Sequence, residues 1–382
     1  MQIAILVTRS DRSFVVRHMV DLAKDLVLRG HEIRLVSILG SETSGFGEEL
    51  GEDHICIGAA RTVSGVSPLA KLMRSGSPDL IISAGLEANC VAGLSRKMAG
   101  VMCPMIFFEQ DVPGYDHLSN PLSKRFWAWT RQRTYPLASR IIAPTYEVKR
   151  RLLNAAPISE EKIVEIMNPG RGYFSPPIKA PHPWLAEARA DPTFVAAGPL
   201  DKNSDFATLM DGVSRAQRVL PCKVVILGDG PEKKRLFDFS KSRNLRNLVS
   251  FASDVENLHD YVYFSDGFIS TALSSACPDV VIRAMELSSR VICTASPGGS
   301  REVLGEGAYG KLLRMKDPDA VAYALHEAMQ SPKMRPSERD MLRFDRGDFF
   351  ERVSSLVYEV GAIDAEARGL ELDGHPIAIE AA

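Results

Sequence analysis

Apolar positions at the start of the chain follow a strand–helix–strand rhythm. Gln2–Thr8 runs as a continuous apolar strand, Phe14–Leu28 repeats apolar residues at helical spacing, and Glu32–Ile38 is strand-like again. Arg29-Gly30 supplies a helix stop. This β-α-β opening is the pattern of a doubly wound sheet. Further strands are predicted at Ile55–Gly58, Asp79–Ser83, Met105–Phe108, Arg140–Ala143 and Ile163–Ile166, with helices over Ala88–Met98 and Glu147–Leu153. Asn168-Pro169-Gly170-Arg171-Gly172, then Ser175-Pro176-Pro177 with prolines at 181 and 183, break the periodicity and read as an inter-domain linker.

The rhythm then restarts. Thr193–Ala197 is a strand ending in Gly198, followed by a helix over Asp205–Val219. Strand Cys222–Leu227 ends in Gly228-Asp229-Gly230, and Glu232–Ser242 is helical. Short strands at Val249–Phe251 and Gly267–Ser270 flank a helix over Val255–Tyr263. Thr271–Val303 is the stretch around which the chain is organised: a tight loop, a helix over Asp279–Ser288 behind Pro278, a buried β-branched strand Val291–Thr294, and a Gly-Gly turn. Such a unit places a ligand at the carboxyl ends of parallel strands. Helices over Pro318–Met329 and Phe349–Val360 follow, and the tail from about Ala365 carries no pattern. The fold class is α/β, with two Rossmann-like doubly wound domains facing across a cleft.

At 382 residues the chain is long enough for two ordinary domains. With 45% hydrophobic and 25% charged residues it has the composition of a soluble globular protein. A net charge of −2 argues against general nucleic-acid binding. No apolar run approaches the roughly 20 residues that span a bilayer, and MQIAILVT lacks a basic leader region, so no signal peptide is expected. Cys56, Cys90, Cys103, Cys222, Cys277 and Cys293 show no metal spacing and read as free thiols in a reducing cytoplasm. No metal and no cofactor are expected.

Candidate chemistry lies in the loops. Arg9-Ser10-Asp11-Arg12-Ser13 contains no glycine, so the dinucleotide fingerprint is absent and a dehydrogenase is disfavoured. Glu109 and Asp111 directly follow a strand end, where α/β enzymes keep acceptor or catalytic groups; an ordinary polar turn is the alternative. Ser123–Pro136 interleaves basic and aromatic residues, with Trp127 and Arg131 on one side of a helix and Phe126, Thr130 and Arg133 on another. Lys124, Arg125, Trp127, Trp129 and Arg131 fit a peripheral membrane contact at the inner face; a packed helix with snorkelling arginines is the alternative. The lone histidines His117, His259 and His326 read as surface or capping residues, with His117 nearest the cleft.

Several pieces in register resemble the family-4 retaining glycosyltransferases, whose two-Rossmann architecture is called GT-B. Phe194–Leu200 with Phe206-Ala207-Thr208-Leu209, Val225–Pro231, Val249-Ser250-Phe251, Phe264–Ser270, the loop ending in Pro278, Ala284-Met285, Val291–Thr294, Gly298-Gly299 with Glu302, and the linker Asn168–Phe174 all match in order. The resemblance implies a first domain over 1–172, a linker over 173–189, a donor domain over 190–345, a helix over 346–366 packing back on the first domain, and a tail over 367–382. It also implies a nucleotide-sugar donor, a glycan or lipid-linked acceptor, and transfer in envelope polysaccharide or glycoconjugate assembly.

The departures fall on the chemistry. The arginine and lysine with which the family holds the nucleotide diphosphate are Pro199 and Ser204 here, with Lys202 close but offset. The family's paired glutamates fall on Ser275 and Arg283, and the first loop lacks its Gly-Gly. The histidine often found after the fourth strand falls on Phe108, just before Glu109. A departing diphosphate accumulates negative charge, and each lost donor to it lowers the rate ~10²–10³-fold. Two outcomes follow. In one, Arg283 and Lys202 replace the lost cations beside a phosphate site built from Gly198, Gly228, Gly230, Ser274, Ser275, Gly298, Gly299 and Glu302, with Glu109, Asp111 and Arg283 as the catalytic candidates. In the other, the chain is a catalytically silent subunit serving a partner enzyme. A nucleotide-sugar epimerase shares the architecture, but no paired acids and histidine stand in matching loops.

Overall fold

The alternation of strands and helices folds into two parallel sheets, each the centre of one half of the molecule. The computed structural model describes residues 1–10, 14–40, 54–76, 78–110, 112–114, 120–170, 179–186, 191–217, 221–253, 257–275, 278–287, 290–331 and 336–368. In the first half, β1 (Gln2–Arg9), α1 (Phe14–Leu28), β2 (Glu32–Leu39), β3 (His54–Cys56), α2 (Val66–Gly76), β4 (Leu80–Ala84) and α3 (Leu86–Ala99) come first. Then follow β5 (Met105–Phe108), α4 (Pro121–Thr134), β6 (Arg140–Ala143), α5 (Tyr146–Ala155) and β7 (Ile163–Glu165). The second half begins β8 (Thr193–Ala197), α6 (Phe206–Ala216), β9 (Lys223–Leu227), α7 (Lys233–Ser242), β10 (Val249–Ala252), α8 (Leu258–Phe264) and β11 (Gly267–Ser270). It continues α9 (Asp279–Glu286), β12 (Arg290–Thr294), α10 (Ser300–Val303), β13 (Lys311–Leu313), α11 (Pro318–Gln330) and α12 (Glu338–Met341). The last helix, α13, is Arg346–Arg368.

The strand orders are β3-β2-β1-β4-β5-β6-β7 and β10-β9-β8-β11-β12-β13. Within each half the chain first winds one way from β1 or β8, then returns and winds the other way from β4 or β11. Loops diverge at that reversal and leave a crevice at the carboxyl ends of the strands.

Each sheet is covered on both faces, which is why its strands are almost wholly apolar. Ile3, Ile5 and Val7 of β1 pack with Met19, Leu22 and Leu26 of α1, while Leu6 joins the opposite layer with Leu69 and Met73 of α2. Helix α2 has no counterpart among the sequence expectations. Its segment is rich in Ser, Gly and Pro, and only the burial of Val66, Leu69, Ala70 and Met73 makes it helical.

Helix α13 returns to the first half. Phe349, Phe350, Val353, Leu356, Val357 and Val360 enter the same apolar layer as β1 and α1. Arg29 pairs with Glu351 at 2.8 Å, and Arg346 with Asp21 at 3.0 Å. The helix runs well past both ends of the Phe349–Val360 stretch that periodicity marks.

Candidate active site

In the second half, the loops after β8, β9, β11 and β12 meet at one end of the sheet and are tied to one another. Gly198 donates its N–H to Leu227 O, and Leu200 donates to Asp229 O, so the turns after β8 and β9 lie directly together. A Cβ on Gly228, whose φ is +144°, would stand 2.1 Å from Gly198 O, so no side chain fits. Asp201 turns its Oδ1 back to accept from the N–H groups of Asn203 and Ser204 at 2.9 and 3.0 Å. Asn203 donates from Nδ2 to Ser274 O at 3.0 Å, and Ser274 donates its hydroxyl to Asn203 Oδ1 at 2.9 Å. Thr271 and Thr294 add hydroxyl bonds to Ser204 O and Ala272 O.

These bonds decide what the loop after β8 can offer. The Ser204 hydroxyl donates to Pro199 O at 2.6 Å, so the two positions at which the sequence resemblance implied cations are bonded to each other. Lys202 is exposed on the same loop. Gly230, Ser274 and Ser275 belong to the same frame. Gly299 donates its N–H to Ser275 O at 2.7 Å, so that amide is already engaged. Gly298 sits between, with φ +118°; a Cβ there would fall 1.8 Å from Ser275 O.

Arg283 on α9 forms an ion pair with Glu286 at 2.7 Å, one turn along the helix. Nearby His259 on α8 is held below the usual imidazole pKa, first by burial, then by the charges of Arg283 and of Arg17 on α1. Arg17 belongs to the first half, so this basic group spans both halves. At the start of α9, Asp279 Oδ1 accepts from Asn168 Nδ2 at 3.4 Å, and Asn168 also donates to Gln110 Oε1 at 3.1 Å.

Two groups of expected residues are placed otherwise. Glu109 lies past β5, but its carboxylate is fully buried and accepts from Tyr135 Oη at 2.8 Å. Asn89 donates to Tyr135 Oη at 3.1 Å and accepts from Ser83 Oγ at 2.6 Å. Burial, then the charge of Glu109, pushes the Tyr135 phenol well above its ordinary value, while Arg131 works the other way. Glu109 is therefore a support beneath the crevice rather than a wall of it. Asp111 lies outside the described residues. On α4 the buried stripe is Trp127, Thr130, Arg131 and Thr134, and Arg131 is 2% exposed. Trp127 and Arg131 thus face the interior, which corrects their expected place at a membrane. Lys124, Arg125 and Trp129 are on the surface, with Leu122 (74% exposed), Phe126, and Arg133 stacked 3.8 Å over the Trp129 ring.

Glu302 reaches across the crevice. Its Oε2 accepts from the backbone N–H of Tyr146 at 2.9 Å, at the first turn of α5. Burial raises its pKa, and the Tyr146 N–H works against that shift. Thr145, the N-cap of α5, directs its hydroxyl to Gly298 O at 3.5 Å. Sequence reasoning missed Tyr146, Thr145, Asn203 and Arg17. Only Thr145, at a strand end before a helix, carries a local signal, that of an N-cap.

Each half of the chain matches a separate family model. Residues 15–169 match "Glycosyltransferase Family 4", and residues 185–341 match "Glycosyl transferases group 1". The fold is GT-B. Both halves thus resemble their counterparts in the family-4 glycosyltransferases. HepE from Anabaena, solved with UDP and glucose, superposes with a TM-score of 0.77 over 94% of this chain and 100% of that one, at 16% identity. Among curated relatives, the Campylobacter jejuni N-acetylgalactosamine-N,N'-diacetylbacillosaminyl-diphospho-undecaprenol 4-alpha-N-acetylgalactosaminyltransferase is 26% identical over 166 residues, 44% of this chain and 45% of that protein. A putative teichuronic acid biosynthesis glycosyltransferase, TuaC of Bacillus subtilis, is 30% identical over 131 residues, 33% of this chain and 32% of that protein. The matches to these curated relatives span less than half of their length.

Proposed function

We propose that this chain transfers a sugar from a nucleotide-sugar donor to a glycan or lipid-linked acceptor. The observation that carries this reading is the convergence of the four strand-end loops of the second half on one crevice, facing the strand ends of the first half. The donor's diphosphate would lie along the turns at Gly198, Gly228 and Gly230 and the loop at Ser274, Ser275, Gly298 and Gly299. On this reading Arg283 and Lys202 would supply the positive charge along that path. In a retaining transfer, the C1–oxygen bond to the diphosphate breaks and the acceptor hydroxyl bonds to C1 on the same face. Its proton passes to a departing phosphate oxygen, so no carboxylate base is required, which is consistent with the burial of Glu109. The lipid-linked substrate in the name of the Campylobacter relative supports an acceptor of that class.

A membrane contact fits this acceptor. Leu122, Phe126 and Trp129 form one exposed stripe of α4, flanked by Lys124, Arg125 and Arg133. An apolar stripe bordered by cations suits an anionic lipid surface.

A second reading is favoured by one observation: the positions of the family's cations are self-satisfied at Pro199 and Ser204, and Arg283 is already paired. On that reading the chain is a silent subunit. Assaying release of nucleoside diphosphate from a panel of nucleotide sugars, with and without an envelope lipid extract, separates the two. Release that depends on the extract, with retained anomeric configuration in the product, is expected. No release from any donor favours the silent reading.

A further inference from the structure

The contact between Glu302 and Tyr146 joins two parts of the molecule that would separate if the crevice opened. One is the loop Gly298–Val303 of the second half. The other is the first turn of α5, where the N–H groups have no partner within the helix. The crossover segment ahead of α13 packs with the Gly298–Val303 loop, Phe344 sharing an apolar layer with Val303 and Leu304. Arg343 in that segment donates from Nη1 to Glu302 O at 3.1 Å and from Nη2 to Val303 O at 2.7 Å. Thr145 is buried and caps α5 through Val148 N while its hydroxyl faces Gly298 O. Val112, past β5, packs at the same glycine: a Cβ on Gly298 would lie 2.9 Å from its Cγ2.

We infer that Glu302 is a positioning residue: by accepting from the Tyr146 N–H it fixes the Gly298–Glu302 loop only when the two halves are closed. The phosphate-side loop is then completed by the first half, and donor affinity is coupled to closure. The geometry argues for this over a direct contact between Glu302 and the donor. Its carboxylate turns to a backbone donor across the crevice, and a helix N-terminus favours negative charge there. The Tyr146 side chain is 59% exposed, so the junction is read through the backbone alone. Arg343 faces the same carboxylate and lowers its pKa, whereas Glu165 and Glu147 raise it. A donor that binds only the closed form weakens by the factor by which that form is depopulated.

This inference rests on the glycosyl-transfer reading only for its kinetic consequence; the closure itself is measured without a donor. Labels introduced as Leu28→Cys and Tyr323→Cys, both at exposed positions in different halves, report the distance distribution of the ligand-free full-length chain by electron spin resonance. Tyr146→Pro removes the N–H and nothing else in the junction. Proline suits the first position of a helix, and Thr145 is already extended at φ −149° and ψ 158°. Tyr146→Pro and Glu302→Ala are each expected to shift the distribution toward longer distances. Each should also raise the donor KM about tenfold or more, with a smaller change in kcat, as for loss of a charge-assisted hydrogen bond. Tyr146→Ala, which keeps the N–H, and Glu302→Gln, which keeps an acceptor, should hold the wild-type distribution. The double variant Tyr146→Pro/Glu302→Ala should be no more open than either single variant. An unchanged distribution in Tyr146→Pro, with the fold intact by circular dichroism, overturns the inference, as does a Tyr146→Ala variant as open as Tyr146→Pro. If distances shift as expected but no donor is turned over, the closure device stands and the transferase reading fails.

Discussion

The strand ends of the two sheets handle polarity in opposite ways. In the first half, a carboxylate is taken inside: Glu109 is fully buried and held by Tyr135, itself held by Asn89. In the second half, the cations that the family resemblance leads one to expect are gone, and local hydrogen bonds hold the loops: Asp201 with two backbone N–H groups, Asn203 with Ser274, Ser204 with Pro199. The first arrangement fixes a floor at the expense of any role for its acid in the crevice. The second ties its loops together without those cations, and on the proposed reading the charge at the donor site would come from Arg283 and Lys202. Shape and charge are separable properties of such a site.

This contrast predicts a graded set of effects. The largest belongs to the buried network. Glu109→Ala leaves the Tyr135 hydroxyl without its acceptor in a fully buried place and is expected to destabilise the protein by about 3 kcal/mol, read by urea denaturation. Glu109→Gln keeps an acceptor and should lose less; equal losses in the two would mean that volume, rather than hydrogen bonding, is the main contribution.

Gly228→Ala should come close behind. Its Cβ would meet Gly198 O at 2.1 Å, so the turns after β8 and β9 must part, at roughly 2–3 kcal/mol. Nucleotide binding should fall with it. A stable variant with unchanged binding would show that these turns need not touch.

Ser274→Ala is a smaller test of the hydrogen-bonded frame. It removes one hydrogen bond to Asn203 and is expected to lower stability by only about 1 kcal/mol. A loss as large as that of Glu109→Ala would erase the distinction between the halves.

The smallest effect is one of pH. His182 accepts from Trp184 N–H through Nδ1, so its proton is on Nε2, which faces Ser250 Oγ at 3.1 Å. Burial holds its pKa below the usual value, as it does first for His31 and His259. The unfolded chain therefore takes up protons before the folded one as pH falls below about 6.5. Stability is fully present above that value and declines below it. His182→Gln should flatten the part of that decline that comes from His182; an unaltered pH profile would show that the ring does not stay neutral in the fold.

Much of the architecture is legible in the sequence because parallel strands covered on both faces are simply apolar. Phe14–Leu28 and Thr193–Ala197 coincide with α1 and β8 to the residue. The side to which Glu109 turns was also present in principle. Phe107 and Phe108 of β5 enter opposite apolar layers, and period two returns Glu109 to the side of Phe107, where Tyr135 and Cys90 lie. The same holds for α4. Trp127, Thr130, Arg131 and Thr134 make a regular helical stripe, but spacing alone does not say which stripe faces inward. Contacts such as Tyr146–Glu302 join residues 156 positions apart through a backbone atom and leave no trace in residue type. Likewise, nothing in the identities of Pro199 and Ser204 foretells that they satisfy each other.

The central claim is that a donor site survives on this frame, with Arg283 as its principal cation. Calorimetric titration with uridine, guanosine and adenosine diphosphates, on the wild type and on Arg283→Ala, tests it most directly. The account predicts micromolar binding of one nucleotide, weakened about tenfold or more in the variant, as expected for loss of a charge-assisted contact. No binding of any of the three, or binding indifferent to Arg283→Ala, would contradict it.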